Sequence, residues 1–133
     1  MTSTVTAPRL SLVETLASES ASASDSERPL DLVHLSRYTL GNRSLETELL
    51  GLFRSQAGVY VARLQDAATD KEWKDAAHSL KGSARGLGAW TLGDIAEEAE
   101  CLAGFDASGR ANIVERLRAA IGKVNLFIDE LMA

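Results

Sequence analysis

Leucine, isoleucine, valine and alanine recur three and four positions apart along four long stretches of this chain, and no stretch alternates apolar and polar residues as a half-buried strand does. A helix turns by about 100° per residue, so that spacing gathers apolar side chains on one side and leaves the other for water. A short N-terminal helix is expected from Leu30 to Tyr38, ending near Gly41-Asn42. Asn42 or Ser44 then caps a long helix in which Leu45, Leu49, Leu52, Phe53, Tyr60 and Leu64 fall mostly on one side. Thr69, with Glu72 three residues on, forms a capping box for a third segment, whose stripe is Trp73, Ala76, Ala77, Leu80, Ala84 and Leu87. Gly86 and Gly88 mark its end, because glycine tolerates the left-handed backbone of helix C-termini. Thr91 with Asp94 repeats the start signal ahead of Leu92, Ile95, Ala99 and Leu102, and Asp106-Ala107-Ser108-Gly109 reads as a turn. A last helix carries Ile113, Leu117, Ala120, Ile121, Val124, Ile128 and Leu131. Short connections force consecutive helices to run in opposite directions, so the expected fold is all-α: an antiparallel up-and-down four-helix bundle with a short N-terminal helix.

Composition narrows the function classes. With 133 residues, 45% hydrophobic and 5% aromatic, the chain supports one domain with a core of aliphatic side chains. Residues 1–28 are rich in Ser, Thr and Ala and read as a flexible arm, in which Leu10, Val13, Leu16 and Ala17 still fall at helical spacing. Residues 29–133 form the domain. A net charge of −5 argues against a nucleic-acid binder, which needs a basic surplus to neutralise phosphates. The lone Cys101 has no partner for a disulfide and reads as a small side chain packed beside the core; a reducing, cytoplasmic setting is the simplest expectation. No secretory signal is legible, and no apolar run approaches the roughly 20 residues needed to cross a bilayer.

The chemistry concentrates on His78. Lys81 and Gly82, three and four positions on, border its imidazole on the same helix face, opposite the apolar stripe. Imidazole titrates at about 6.5 in unperturbed peptides, so near neutrality one ring nitrogen can act as a nucleophile. Lys71, Lys74, Lys81 and Arg85 surround the ring, with Asp75 as the only acid on that face. Such cations suit a phosphoryl group held on the imidazole, although a run of lysines is also how an ordinary solvated helix face reads. Glycine inside a helix costs about 1 kcal/mol relative to alanine, so Gly82 calls for a reason. Clear access for a partner's carboxylate is one, and close packing by a neighbouring helix is the other.

The string His78-x-x-Lys81-Gly82-Ser83, followed by Leu87-Gly88-Ala89, resembles the signature of histidine-containing phosphotransfer (HPt) domains of bacterial phosphorelays. Asp31-Leu32 with Leu35, then Gly41-Asn42, and Glu48-Leu49-Leu50 with Phe53 are similar to the same family, so the resemblance runs from Leu30 to the C-terminus. It implies a four-helix bundle whose exposed histidine takes a phosphoryl group from a receiver aspartate and passes it to another. His78 is then the phosphorylated nucleophile, Lys81 assists the phosphoryl group and Gly82 keeps the approach clear. Ser83 is assigned to packing or a backbone hydrogen bond.

The implied partners are response-regulator receiver domains and a hybrid sensor histidine kinase, with neither nucleic acid nor membrane, and the chain itself is expected to be a monomer. It would be a stoichiometric carrier rather than an enzyme. No cofactor or metal is expected in this chain, the magnesium ion belonging to the receiver. Lys74, Arg85, Gly86, Leu32 and Leu35 are candidate docking residues, Leu32 and Leu35 being equally suited to cap the bundle. Two readings compete with the carrier: a non-catalytic helical module that binds a receiver or kinase, and a histidine-dependent hydrolase, which would need a substrate pocket at His78. His34 reads as a surface or partly packed residue, Glu97, Glu98 and Glu100 as a solvated face, and Trp73 and Trp90 as seals at the two ends of the motif helix.

Overall fold

A helix begins where something accepts hydrogen bonds from its first free N–H groups, and four of the five helices here start on a side chain that does so. The computed structural model describes residues 28–102 and 106–133. It contains α1 (Leu32–Thr39), α2 (Arg43–Asp66), α3 (Asp70–Leu87), α4 (Trp90–Cys101) and α5 (Ala107–Met132), with no strand among the described residues. Asp31, Asn42, Thr69 and Asp106 cap α1, α2, α3 and α5. The Thr69 hydroxyl accepts from Glu72 N–H at 3.1 Å, while the Glu72 carboxylate accepts from Ala68 N–H at 2.8 Å, a capping box displaced by one residue.

α4 departs from expectation. It starts at Trp90 on Ala89, which has no side-chain acceptor, so Thr91 is not its cap. Gly88 ends α3 in the left-handed region, and Ala89 N–H bonds back to Ala84 O at 2.8 Å. Two residues therefore turn the chain from one helix into the next, which leaves no room for a separate cap. The expected turn at Asp106 to Gly109 is likewise the cap and first turn of α5.

The stripe foreseen on α3 is buried in full. On α2 the buried residues are Leu50, Phe53, Ala57, Val61 and Leu64, whereas Leu45 and Leu52 face solvent and Leu49 and Tyr60 are partly buried, a correction to the expected face. α4 adds Leu92, Gly93, Ala96 and Ala99, and α5 adds Ile113, Val114, Leu117, Ile121, Val124 and Ile128; Leu131 is exposed. Each large aliphatic side chain so enclosed contributes about 1.5–3 kcal/mol of transfer free energy. α3 packs against α2 and α4, α5 packs against α2 and α4, and α1 lies on α2 and α3.

Both ends of α3 are fastened. Near its start Trp73 is buried, its indole N–H donates to Ala99 O at 2.7 Å, and the Arg110 guanidinium, also paired with Asp70, lies 4.4 Å from the ring centre. At its end Asp31 N–H donates to Gly88 O at 2.9 Å and Trp90 Nε1 donates to the Asp31 carboxylate at 2.9 Å. His34 is partly buried here, its ring edge-on to Trp90 and its Nε2 3.2 Å from Gly86 O. The two tryptophans thus stand at opposite ends of the motif helix. The expected arm, with its possible short helix at Leu10 to Ala17, lies outside the described residues apart from Arg28.

Candidate functional site

The local sequence of α3 sets up the site: its buried stripe holds the helix down, and position 78 falls on the opposite side. The His78 side chain is 68% exposed, as its register predicts. Beside it stands Glu100, delivered by the last turn of α4. Its Oε2 lies 2.9 Å from His78 Nδ1 and its Oε1 lies 2.6 Å from Lys81 Nζ. A carboxylate only accepts, so this contact places the proton of a neutral ring on Nδ1 and leaves the Nε2 lone pair outward. The ammonium of Lys81, aided by His78, holds the Glu100 carboxyl below its ordinary range against the opposing effect of partial burial. Glu100 was expected on a solvated face and instead joins the two motif residues.

Three of the four cations around the ring are matched by acids. Lys71 pairs with Asp75 at 2.8 Å. Arg85 is held by Glu97 and by Asp94 at 3.2 Å, which raises its pKa, Glu97 contributing most. Lys74 is exposed and makes no ion pair among the described residues. Asp75 is the only acid on the face of α3, but α4 supplies three more, so Lys71, Lys81 and Arg85 are neutralised and only Lys74 keeps the expected positive character among the described residues. Gly93 makes one of them possible, since a Cβ there would meet Arg85 Cγ at 2.7 Å. The remaining acid, Glu98, turns to Arg116 at 2.8 Å.

Gly82 is exposed, and a Cβ built on it meets nothing within 4 Å. Close helix packing is therefore not its reason. It opens instead onto a cleft of about 290 Å³ between α1, α2 and α3, whose walls include Tyr38, Leu52, Phe53, Tyr60 and Leu87. Gly86 is exposed and Ser83 partly buried on the same edge. Leu32 is partly buried against the core. Leu35 is 2% exposed, which removes it from the docking candidates: its place on the inner side of α1 makes it core. Cys101, the last residue of α4, is exposed rather than packed. Among the described residues no cluster of His, Cys, Asp and Glu is arranged to hold a metal ion, and no helix is long and apolar enough to cross a membrane.

Glu100 was missed because its nearness to His78 depends on how α4 lies across α3, which spacing within one helix does not encode. One signal was legible: Glu97 and Glu100 are three apart on α4, as His78 and Lys81 are on α3. Comparison with known proteins agrees with the motif. The family model for the Hpt domain matches residues 48–132, well over half of the chain, taking in most of α2 and all of α3, α4 and α5. α1 lies outside that match, and no curated protein or solved structure matches significantly. Hpt domains are phosphotransfer modules of two-component phosphorelays; they work with receiver domains and histidine kinases and contain no kinase domain of their own. With the matched region carrying the exposed histidine, its lysine and its glycine, this chain belongs to the Hpt domain family.

Proposed function

We propose that this chain is a monomeric, cytoplasmic phosphocarrier that takes a phosphoryl group from the aspartyl phosphate of one receiver domain onto His78 Nε2 and yields it to the aspartate of another. The observation that carries the reading is the His78–Glu100 contact on an otherwise exposed ring. In the acceptance step the Nε2 lone pair attacks phosphorus in line, the N–P bond forms and the P–O bond to the aspartate breaks, returning a free carboxylate. The Nδ1 proton stays in place. The ring gains positive character as the bond forms, and the Glu100 carboxylate 2.9 Å away offsets it. Lys81, one turn along, is within reach of the phosphoryl oxygens once its ammonium swings from Glu100. Gly82 leaves the approach open. The receiver brings the aspartate and a magnesium ion, and a hybrid sensor histidine kinase supplies the phosphoryl group upstream. The chain turns over no substrate of its own and engages neither nucleic acid nor membrane.

The scaffold is read as an antiparallel four-helix bundle. Trp73 bonds to Ala99 while Arg85 reaches Asp94, and Arg54 pairs with Asp129 while Arg118 reaches Gln65. Rising numbers on one helix meet falling numbers on its neighbour in both pairs.

Incubation with a phosphorylated receiver tests the proposal. Acid-labile label on the wild type and none on His78→Ala is the expected result. Stable binding without label makes the chain a non-catalytic interaction module and overturns the carrier.

A further inference from the structure

One oxygen of Glu100 is enclosed. The side chain is 26% exposed, yet Oε1 is shut off from water and has Lys81 Nζ, 2.6 Å away, as its partner among the described residues. Oε2 meets His78 Nδ1 at 2.9 Å. On the free ring the ammonium is the main counter-charge, being the largest cause of the lowered Glu100 pKa. Nearby, α3 also carries Lys74 and Asp75, the latter tied to Lys71, and α4 carries Glu97, tied to Arg85, and the exposed Cys101 thiol. No charged group of α1 or α2 bonds to His78 among the described residues. A phosphoryl group on Nε2 brings about two negative charges and attracts Lys81. Once the ammonium turns to it, the enclosed oxygen loses its cation, and a partly buried carboxylate without one is disfavoured. The imidazole can replace that cation, because attack through Nε2 leaves the ring positive for as long as Nδ1 keeps its proton.

We propose that Glu100 exchanges Lys81 for the ring as its counter-ion, holding the Nδ1 proton on phosphorylated His78 and so keeping the imidazole ready to leave. In the donating step a receiver carboxylate oxygen attacks phosphorus, the O–P bond forms, and the N–P bond breaks with its electron pair returning to Nε2. What departs is a neutral imidazole that still carries Nδ1–H. Had the proton been lost beforehand, the same step would expel an imidazolate anion, a far poorer leaving group. One carboxylate thereby serves the ring in both directions, as an orienting acceptor during loading and as a proton keeper during unloading. The part it plays in donation rests on the phosphocarrier reading; the protonation of the phosphorylated ring does not.

The experiment phosphorylates the full isotope-labelled chain with potassium phosphoramidate, a small donor that needs no receiver, and uses His78→Ala to assign the signal. Nitrogen NMR spectra should show phosphorus on Nε2 and a proton on Nδ1. That proton should persist about one pH unit higher in the wild type than in Glu100→Gln, which keeps an acceptor of the same shape and removes only the charge. Loss of the phosphoryl group to water should slow with rising pH in both proteins, the decline starting about one unit lower in the variant. The two rates should coincide where both rings are protonated, and the variant should be about tenfold slower where both have lost the proton's protection. Coincident profiles overturn the proposal. Phosphorus on Nδ1 overturns it too, as does a wild-type ring that is deprotonated near neutrality while Glu100 itself takes up the proton. These profiles are read without a receiver, so a failure of transfer from a phosphorylated receiver counts against the carrier alone.

Discussion

Glu100 holds His78 and Lys81 with one carboxylate, an oxygen for each, so the ring's tautomer and the lysine's position are set together from a different helix. The contact has a measurable consequence at the ring. Glu100→Ala should lower phosphoryl acceptance about tenfold, the scale of a lost orienting contact, and shift the ring's tautomers away from the Nδ1–H form in nitrogen NMR spectra. Glu100→Gln, whose amide oxygen still accepts a hydrogen bond from Nδ1–H, should recover most of the tautomer preference. Equal tautomer ratios in all three proteins would remove the orienting role.

Lys81 couples to pH through the same carboxylate. The Glu100 carboxyl is held below its ordinary 4.5, chiefly by Lys81. A carboxyl with a depressed folded-state pKa stabilises the fold above its unfolded pKa, and that contribution is lost as pH falls through the folded value. Lys81→Ala should therefore flatten the acid limb of the stability profile below about pH 4.5 while leaving helical content unchanged. Thermal melts across the acid range check this, and the same variant should slow transfer or shorten the phosphohistidine lifetime.

Stability and transfer should separate at Gly82. Since a Cβ meets nothing there, Gly82→Ala should stabilise the fold by up to about 1 kcal/mol in denaturant titrations. Gly82→Leu should fold as well and transfer markedly more slowly, because its side chain enters the partner's path.

Gly88 should behave in the opposite way. Its φ is +87° and a Cβ would lie 2.8 Å from Asp31 O, so Gly88→Ala combines left-handed strain of about 1–2 kcal/mol with a backbone collision. A loss of more than about 2 kcal/mol is expected by denaturant titration.

The sequence was most readable where one helix decides the outcome. On α3 the apolar residues occupy a single arc, so the buried stripe, the Thr69 cap and the outward His78 all followed from spacing. α2 was harder: Leu45, Leu49, Leu50, Leu52 and Phe53 fall within nine positions and surround the helix, so packing by α3 and α5 selects which of them are buried. Leu35 was left between docking and capping the bundle for the same reason, because a short helix shows too few turns to fix its inner side, and its burial decides against docking. Thr91 and Asp94 imitate a cap, yet Asp94 serves Arg85 and the tight turn at Gly88 starts the helix alone.

The fastenings at Trp73 and at Asp31 and Trp90 bear on how a relay runs in two directions. On the phosphocarrier reading, a helix pinned at each extremity would present the same face to donor and to acceptor, favouring neither loading nor unloading. Traffic through His78 would then follow the relative abundance and phosphorylation of the two receivers, making this protein a passive junction whose bias is written in its clients.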